Sequence, residues 1–202
     1  LKLYSDNTNP RDLKRISECL RAGGVIIYPT DTVYAIGCDI NSKSAIDRVA
    51  KIKAVKADKA DFSFVFYDLS HISEYTKQFD TATFKLLKRN LPGAFTFILE
   101  ANNSIPKLFK NKKRTLGIRI PDNSICRLIV EHFGNPIIST SVHDDDEVLE
   151  YTTDPELIYE KYQDQVDIVI DGGYGNNEAS TMVDLTQGYP EILRQGIGEL
   201  VD

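Results

Sequence analysis

Two threonines flank an aspartate at Thr30-Asp31-Thr32, directly after the apolar run Val25-Ile26-Ile27 and the pair Tyr28-Pro29. A hydroxyl both donates and accepts hydrogen bonds, so this group at the end of a buried strand suits a small zwitterion. The same residues also suit a strand-ending turn that satisfies only local backbone. Three further polar clusters stand at predicted strand ends. In RTLGIRIP, Thr115 and Arg119 are four apart, and the period of two puts both on one face of a strand. Ser139-Thr140-Ser141 ends a strand, Ser180-Thr181 begins one, and Arg194 stands in ILRQGIG. Ser and Thr at strand ends are commonplace singly. Four such clusters converging on one crevice would form a ligand site.

The elements that must position them follow from pattern. Pro29 cannot donate to a ladder, so the strand through Ile27 stops near Tyr28. Leu1–Tyr4 reads as a first strand. Asn9-Pro10 reads as N-cap and first helical position, Leu13, Ile16 and Leu20 repeat at helical spacing, and Gly23 closes the helix. Asn41 or Ser42 caps a helix with a stripe of Ala45, Ile46, Val49 and Ile52. Strands are expected at Phe62–Phe66, Ala94–Glu100, Thr115–Ile120, Ile137–Thr140, Val166–Ile170, Met182–Leu185 and Ile192–Arg194. Helices are expected near Leu69–Tyr75, from Asp80 through Leu91, over Ile125–Phe133 and over Pro155–Tyr162. Strands and helices mix without strict alternation or repeat, which predicts one α/β domain over 1–202 with a twisted, mixed parallel and antiparallel sheet.

The whole chain sets bounds. Its 202 residues suffice for one domain with a sizeable core. No apolar run approaches the roughly 20 residues that span a bilayer, and the opening residues lack a secretory signal pattern. Cys19, Cys38 and Cys126 are scattered without metal-like spacing, as expected of reduced thiols in a cytoplasmic protein, and no metal site is expected. The net charge of −6 disfavours indiscriminate nucleic-acid binding, yet the charge is uneven. Lys43, Arg48, Lys51, Lys53, Lys56 and Lys59 make one basic stretch. Lys107, Lys110, Lys112, Lys113, Arg114 and Arg119 make a second, without an acid among them. Solvated surface and an anion site both account for such runs, and clustering in space would distinguish them. Tyr28 and Tyr34 read as core, and His71 and His132 carry no functional signal.

The segment YPTDTVYAIGCD, residues 28–39, resembles the opening motif of the YrdC/YciO family, usually YPTDTVYGLGCD; only Ala35 and Ile36 differ. The resemblance extends from Gly23 to about Gly198. It implies a YrdC-like fold with a concave basic face and a pocket for L-threonine and ATP. It also implies formation of threonylcarbamoyl-AMP from L-threonine, bicarbonate and ATP, with magnesium carried by the ATP, for threonylcarbamoyl modification of tRNA adenosine. By position in the family motifs, Thr32, Arg119, Thr140 and Thr181 are implied on the threonine side. Lys53, Lys56, Thr115, Ser141 and Arg194 are implied on the nucleotide side. The family is also associated with double-stranded RNA and tRNA, for which Lys51, Lys53, Lys56, Lys110, Lys112, Lys113 and Arg114 are the candidate contacts.

Two departures stand out. Where the family reads KGRP, this chain reads Lys53-Ala54-Val55-Lys56, so a phosphate-binding arginine is replaced by valine. Where it reads TSAN, this chain has Thr140-Ser141-Val142-His143 followed by Asp144-Asp145-Asp146-Glu147. Like charge there opposes a triphosphate. These features resemble the YciO branch. They keep two alternatives open, an RNA-binding module without catalysis and a hydrolase of threonylcarbamoyl-adenosine in tRNA with His143 as general base.

Overall fold

In the computed structural model, which describes residues 1–4, 8–57, 62–107, 114–142 and 153–201, Asn9 starts the first helix as its sequence requires. Its side chain accepts from the Arg11 N–H, and Pro10 opens α1 (Pro10–Arg21). Leu13, Ile16 and Leu20 form the buried stripe. Gly23 then turns the chain at φ +79°, a conformation that costs glycine nothing. Ser42 caps α2 (Lys43–Ile52), Asp80 caps α3 (Thr81–Asn90), Asn123 caps α4 (Ser124–Phe133) and Asp154 caps α5 (Pro155–Tyr162).

The strands are β1 (Ile26–Tyr28), β2 (Ala35–Gly37), β3 (Ser63–Val65), β4 (Phe95–Glu100), β5 (Thr115–Arg119), β6 (Ile137–Ser141), β7 (Ile168–Val169), β8 (Thr181–Asp184) and β9 (Glu191–Arg194). They form one mixed sheet in the order β7-β1-β2-β6-β3-β5-β4-β8-β9. The β1/β7, β3/β5 and β4/β8 pairs are parallel and the others antiparallel. The expected α/β fold with a mixed sheet is therefore what the chain adopts. Two expected elements shrink. Leu1–Tyr4 makes an isolated bridge, Lys2 to Asp171, because the segment turns only Leu3 fully inward and is too short to extend a ladder. Leu69–Tyr75 contributes a single 3₁₀ turn, Ile72–Glu74, whose start no side chain caps.

Register divides the sheet into two faces, since paired residues share a face and neighbours along a strand alternate. One face carries Ile27, Ile36, Phe64, Ile118, Ile138, Phe97 and Val183 and is covered by α2, α3 and α5. On the other, α1 and α4 cover Ile26, Tyr28, Ala35, Val65 and Ile137. Further across this second face, toward β4 and β8, the inward positions turn polar or small: Ser63, Ser139, Gly117, Thr96 and Arg119. That change of character marks where the sheet is built for something other than packing.

One local feature explains a sequence departure. Ala54 sits in the left-handed region at φ +53°, just after α2. Its N–H donates to Lys51 O and the Val55 N–H to Ala50 O, the two bonds of a Schellman cap, whose left-handed residue is usually glycine. The position written as glycine in the resembling motif is thus a conformational requirement that alanine meets under strain. The left-handed conformation costs alanine about 1–2 kcal/mol, and glycine would lose about 0.4–1 kcal/mol through a freer unfolded chain. Ala54→Gly is therefore expected to raise stability by about 0.5–1 kcal/mol, read as an upward shift of the urea midpoint with unchanged slope.

Candidate functional site

Arg119 ends β5 with its guanidinium buried against the turn that follows β1. Its Nη2 donates to Thr32 Oγ1 at 2.9 Å and to Asp31 Oδ1 at 3.2 Å. The side chains of Arg119 and Asp31 are only 9% and 10% exposed, so this ion pair is nearly withdrawn from water. Asp31 uses its second oxygen to accept from the Asp122 N–H at 2.8 Å. One carboxylate therefore ties the 29–33 turn to the end of β5 and to the start of α4. Burial pushes the Asp31 carboxyl above its ordinary value, while Arg119 and the Asp122 N–H pull it back.

The threonines complete the turn. Thr30 Oγ1 donates to Val33 O at 2.7 Å and accepts from the Thr32 N–H at 3.1 Å, and the two hydroxyls lie 3.0 Å apart. Local capping and side-chain presentation thus coexist in the same residues. The Asn176 N–H donates to Thr32 O, clamping the glycine-rich 171–178 loop against the turn. An open cleft of about 530 Å³ lies here, lined by Thr30, Asp31, Thr153, Tyr174, Gly175, Asn176 and Asn177.

A further donor of Arg119, its Nε, is buried and has no hydrogen-bond partner among the described residues. An unsatisfied buried donor costs about 1–3 kcal/mol, more on a charged group, so it marks a place where an acceptor belongs.

Arg194, on β9, lies on the same face of the sheet as Arg119. Met182 pairs with Arg194 and with Thr96, and Thr96 is on the face of Gly117 and Arg119. Arg194 donates from Nε and Nη2 to Ser180 O at 3.2 and 2.9 Å, and Ser180 Oγ meets Thr96 Oγ1 at 2.8 Å. Partial burial lowers the basicity of Arg194, and the charge of Arg119 lowers it further. Two arginines thus act on one polar strip, with Ser139, Ser180 and Thr96 buried along it. A Cβ on Gly117 would come within 3.0 Å of Ser63 Oγ and 3.3 Å of Thr96 Cγ2, so the bare glycine keeps the strip open.

Of the residues singled out from sequence, Thr32, Arg119, Thr115, Ser141 and Arg194 fall on this face. Thr140 and Thr181, expected on the threonine side, lie on the other face. Thr140 pairs with Ile36 and Thr181 with Phe95, residues of the opposite, helix-covered face. Thr181 is fully buried, and its hydroxyl donates to Gly198 O at 2.6 Å and accepts from the Gly196 N–H. Ser139 and Ser180, one residue earlier in each case, occupy the polar face instead. Lys51, Lys53 and Lys56 lie at and beyond the C-terminal end of α2, and Arg114 immediately precedes β5. Lys110, Lys112, Lys113 and His143 lie outside the described residues. Asp31, Ser63, Thr96, Ser139 and Ser180 are the further residues of the strip, and the sequence signal for each was only its place near a strand end.

Comparison with known proteins establishes the family and the fold. The Sua5/YciO/YrdC family model, described as telomere recombination, matches residues 18–196. The chain belongs to this family. It is 38% identical over 200 residues to the uncharacterized protein YciO of Escherichia coli, covering 98% of this chain and 95% of that protein. The crystal structure of E. coli YciO superposes with a TM-score of 0.90, covering 98% and 96% of the two chains. A threonylcarbamoyl-AMP synthase of Coxiella burnetii is 28% identical over 178 residues, covering 88% of this chain and 93% of that one. P. abyssi Sua5, solved in complex with L-threonine, shares the fold at a TM-score of 0.87 and 23% identity, over 97% of this chain and 57% of its own. Among the described residues, no helix is long and apolar enough to cross a membrane.

Two outcomes follow from the geometry. Thr181→Val removes a buried hydroxyl and leaves the Gly196 N–H unpaired; a loss of about 1–3 kcal/mol in urea unfolding is expected. For Asp31 the folded-state carboxyl titrates above its unfolded value, so the folded protein holds the proton longer. Its contribution to stability is present below the ordinary value of 3.8 and is lost as pH rises through the raised folded value. The stability difference between wild type and Asp31→Asn, measured by urea unfolding at a series of pH values, should therefore fall as pH rises above about 4.

Proposed function

We propose that the polar strip between Thr32 and Arg194 binds L-threonine and a nucleotide, and that the protein acts in threonylcarbamoyl-adenosine metabolism of tRNA. A reaction like that of threonylcarbamoyl-AMP synthase leads. The observation that carries this reading is the buried Arg119 guanidinium, which bonds the Thr32 hydroxyl and whose Nε has no acceptor among the described residues. A carboxylate suits that donor, since bonds between charged partners are worth about 1.5–3 kcal/mol each. The relatives named for this activity, and the Sua5 complex with L-threonine, point to threonine as its source.

In this reading Arg119 holds the threonine carboxylate and Thr32 its hydroxyl. The amine takes up the carbon of bicarbonate, releasing water and leaving a carbamate. A carbamate oxygen then displaces pyrophosphate from the α-phosphorus of ATP, which enters as its magnesium complex. No enzyme nucleophile is needed; catalysis is positioning and charge stabilisation. Thr115, Ser141 and Arg194 serve the nucleotide side, with Lys53 and Lys56 toward the phosphates. An ammonium at Lys56 supplies charge without the planar fork of the arginine that Val55 replaces. The cytoplasm is the proposed place of action, and tRNA or double-stranded RNA the macromolecular partner. Lys51, Lys53, Lys56 and Arg114, with Lys110, Lys112 and Lys113, are the proposed basic contacts.

The deciding experiment incubates purified protein with ATP, L-threonine and bicarbonate and assays threonylcarbamoyl-AMP by mass spectrometry. Product is expected, and its loss in Thr32→Ala and in Arg119→Ala. Absence of product from protein that still binds tRNA at moderate salt would overturn the synthase reading. The replacement of arginine by Val55 would then favour an RNA-binding module, or a hydrolase of threonylcarbamoyl-adenosine in tRNA.

A further inference from the structure

Helix α3 presents a second basic surface, on the helix-covered face of the sheet and therefore away from the Arg119 strip. Its sequence TATFKLLKRN contains no acid. Leu86, Leu87 and Asn90 point inward, which leaves Phe84, Lys85, Lys88 and Arg89 outward. Lys85 and Arg89 are one turn apart on the wall of a groove of about 280 Å³, closed on the far side by Leu185, Gly188, Tyr189 and Pro190. The groove continues through Thr83, Leu185 and Gly188 into a smaller hollow that reaches Lys77.

Three observations bear on what fits there. First, the cations of α3 are uncommitted: among the described residues, Lys85, Lys88 and Arg89 make no ion pair. Second, among the described residues the groove's own lining holds no acid; in the adjoining hollow Asp80 caps α3 through the Thr83 N–H and Glu100 pairs with Lys77 at 3.2 Å. Asp184 and Glu191 pair with one another on the opposite face of the sheet, since Val183 and Ile192 take the face beneath α3. Third, the groove wall carries an aromatic ring that the core does not use, Tyr189, which is 62% exposed. Helix-dipole complementarity accounts for Lys88 and Arg89 in the last turn, but not for Lys85 or for the solvent-facing Tyr189 across the groove.

We infer that the groove between α3 and the 185–190 turn binds a single-stranded segment of RNA, with Lys85, Lys88 and Arg89 on phosphates and Tyr189 stacking on a base. Cations along one helix face follow a charged backbone, and every base offers a face to an exposed ring, so recognition is tolerant of sequence. An acidic peptide shares the charge requirement but has no need of the Tyr189 ring. The inference deepens the RNA-binding part of the proposed function and rests on it, while placing the contact away from the lysines singled out by sequence.

The test is fluorescence anisotropy of a short labelled oligouridylate against the full chain over a series of salt concentrations. Charge reversal in Lys88→Glu/Arg89→Glu is expected to weaken binding at least tenfold and to lower the salt slope by about 2. Tyr189→Ala is expected to weaken binding about tenfold, with Tyr189→Phe close to wild type, because base stacking is worth about 1–3 kcal/mol. These side chains are exposed, so unfolding temperatures should not move. Binding that is insensitive to both α3 charge and Tyr189 would overturn the groove and leave RNA binding elsewhere. Sensitivity to charge with none to Tyr189 would overturn base stacking and indicate an acidic protein partner. No binding of the oligouridylate by wild type would overturn the groove, and labelled tRNA in the same assay tests the RNA reading separately.

Discussion

Arg119 is the point on which the candidate site depends. A guanidinium this far from water must be compensated, and Asp31 and Thr32 together satisfy a single nitrogen. The arrangement is economical because Asp31 also receives the Asp122 N–H, so the 29–33 turn, the end of β5 and the start of α4 are set by one carboxylate. Removing one partner of such a pair leaves the other charge buried and unpaired, which is far costlier than the pair itself is stabilising. The ion pair therefore defines geometry more than it adds stability.

The rest of the sheet makes room for that geometry. Helices α1 and α4 pack over one part of the face with aliphatic residues and end where Ser63, Gly117, Thr96 and Ser139 begin. Small and hydroxyl-bearing residues there forgo burial of apolar area, and the opposite face, with Phe64, Phe97, Ile118 and Ile138 fully buried, carries the core instead. Arg194 on β9 brings a second positive charge to the same strip, held in place by Ser180. The fold thus separates an apolar, stabilising face from a polar strip within one sheet.

The same logic explains the departures from the family motif. Ala54 occupies a Schellman position that favours glycine, yet the helix still ends there through both cap bonds. The backbone at this turn survives the change of residue, whereas the chemistry of the neighbouring Val55 does not. Shape and reactivity are separable here, which is why shared fold and shared activity are different claims.

Much of the architecture was legible in the sequence because it is governed locally. Asn9-Pro10, Ser42 and Asp80 each lie where the first free N–H groups of a helix need an acceptor, and apolar spacing then marks the buried stripe. The motif around Thr30–Thr32 and the place of Arg119 on β5 were readable for the same reason. Tertiary structure decided which member of each polar pair faces the site. Ser180 rather than Thr181, and Ser139 and Ser141 rather than Thr140, line the strip, because a strand alternates with a period of two and its register is set by a partner far away in sequence. Likewise only the packed fold turned Asp184 and Glu191 away from α3 and left Tyr189 beside its lysines. Composition carries no record of which face a charge will take.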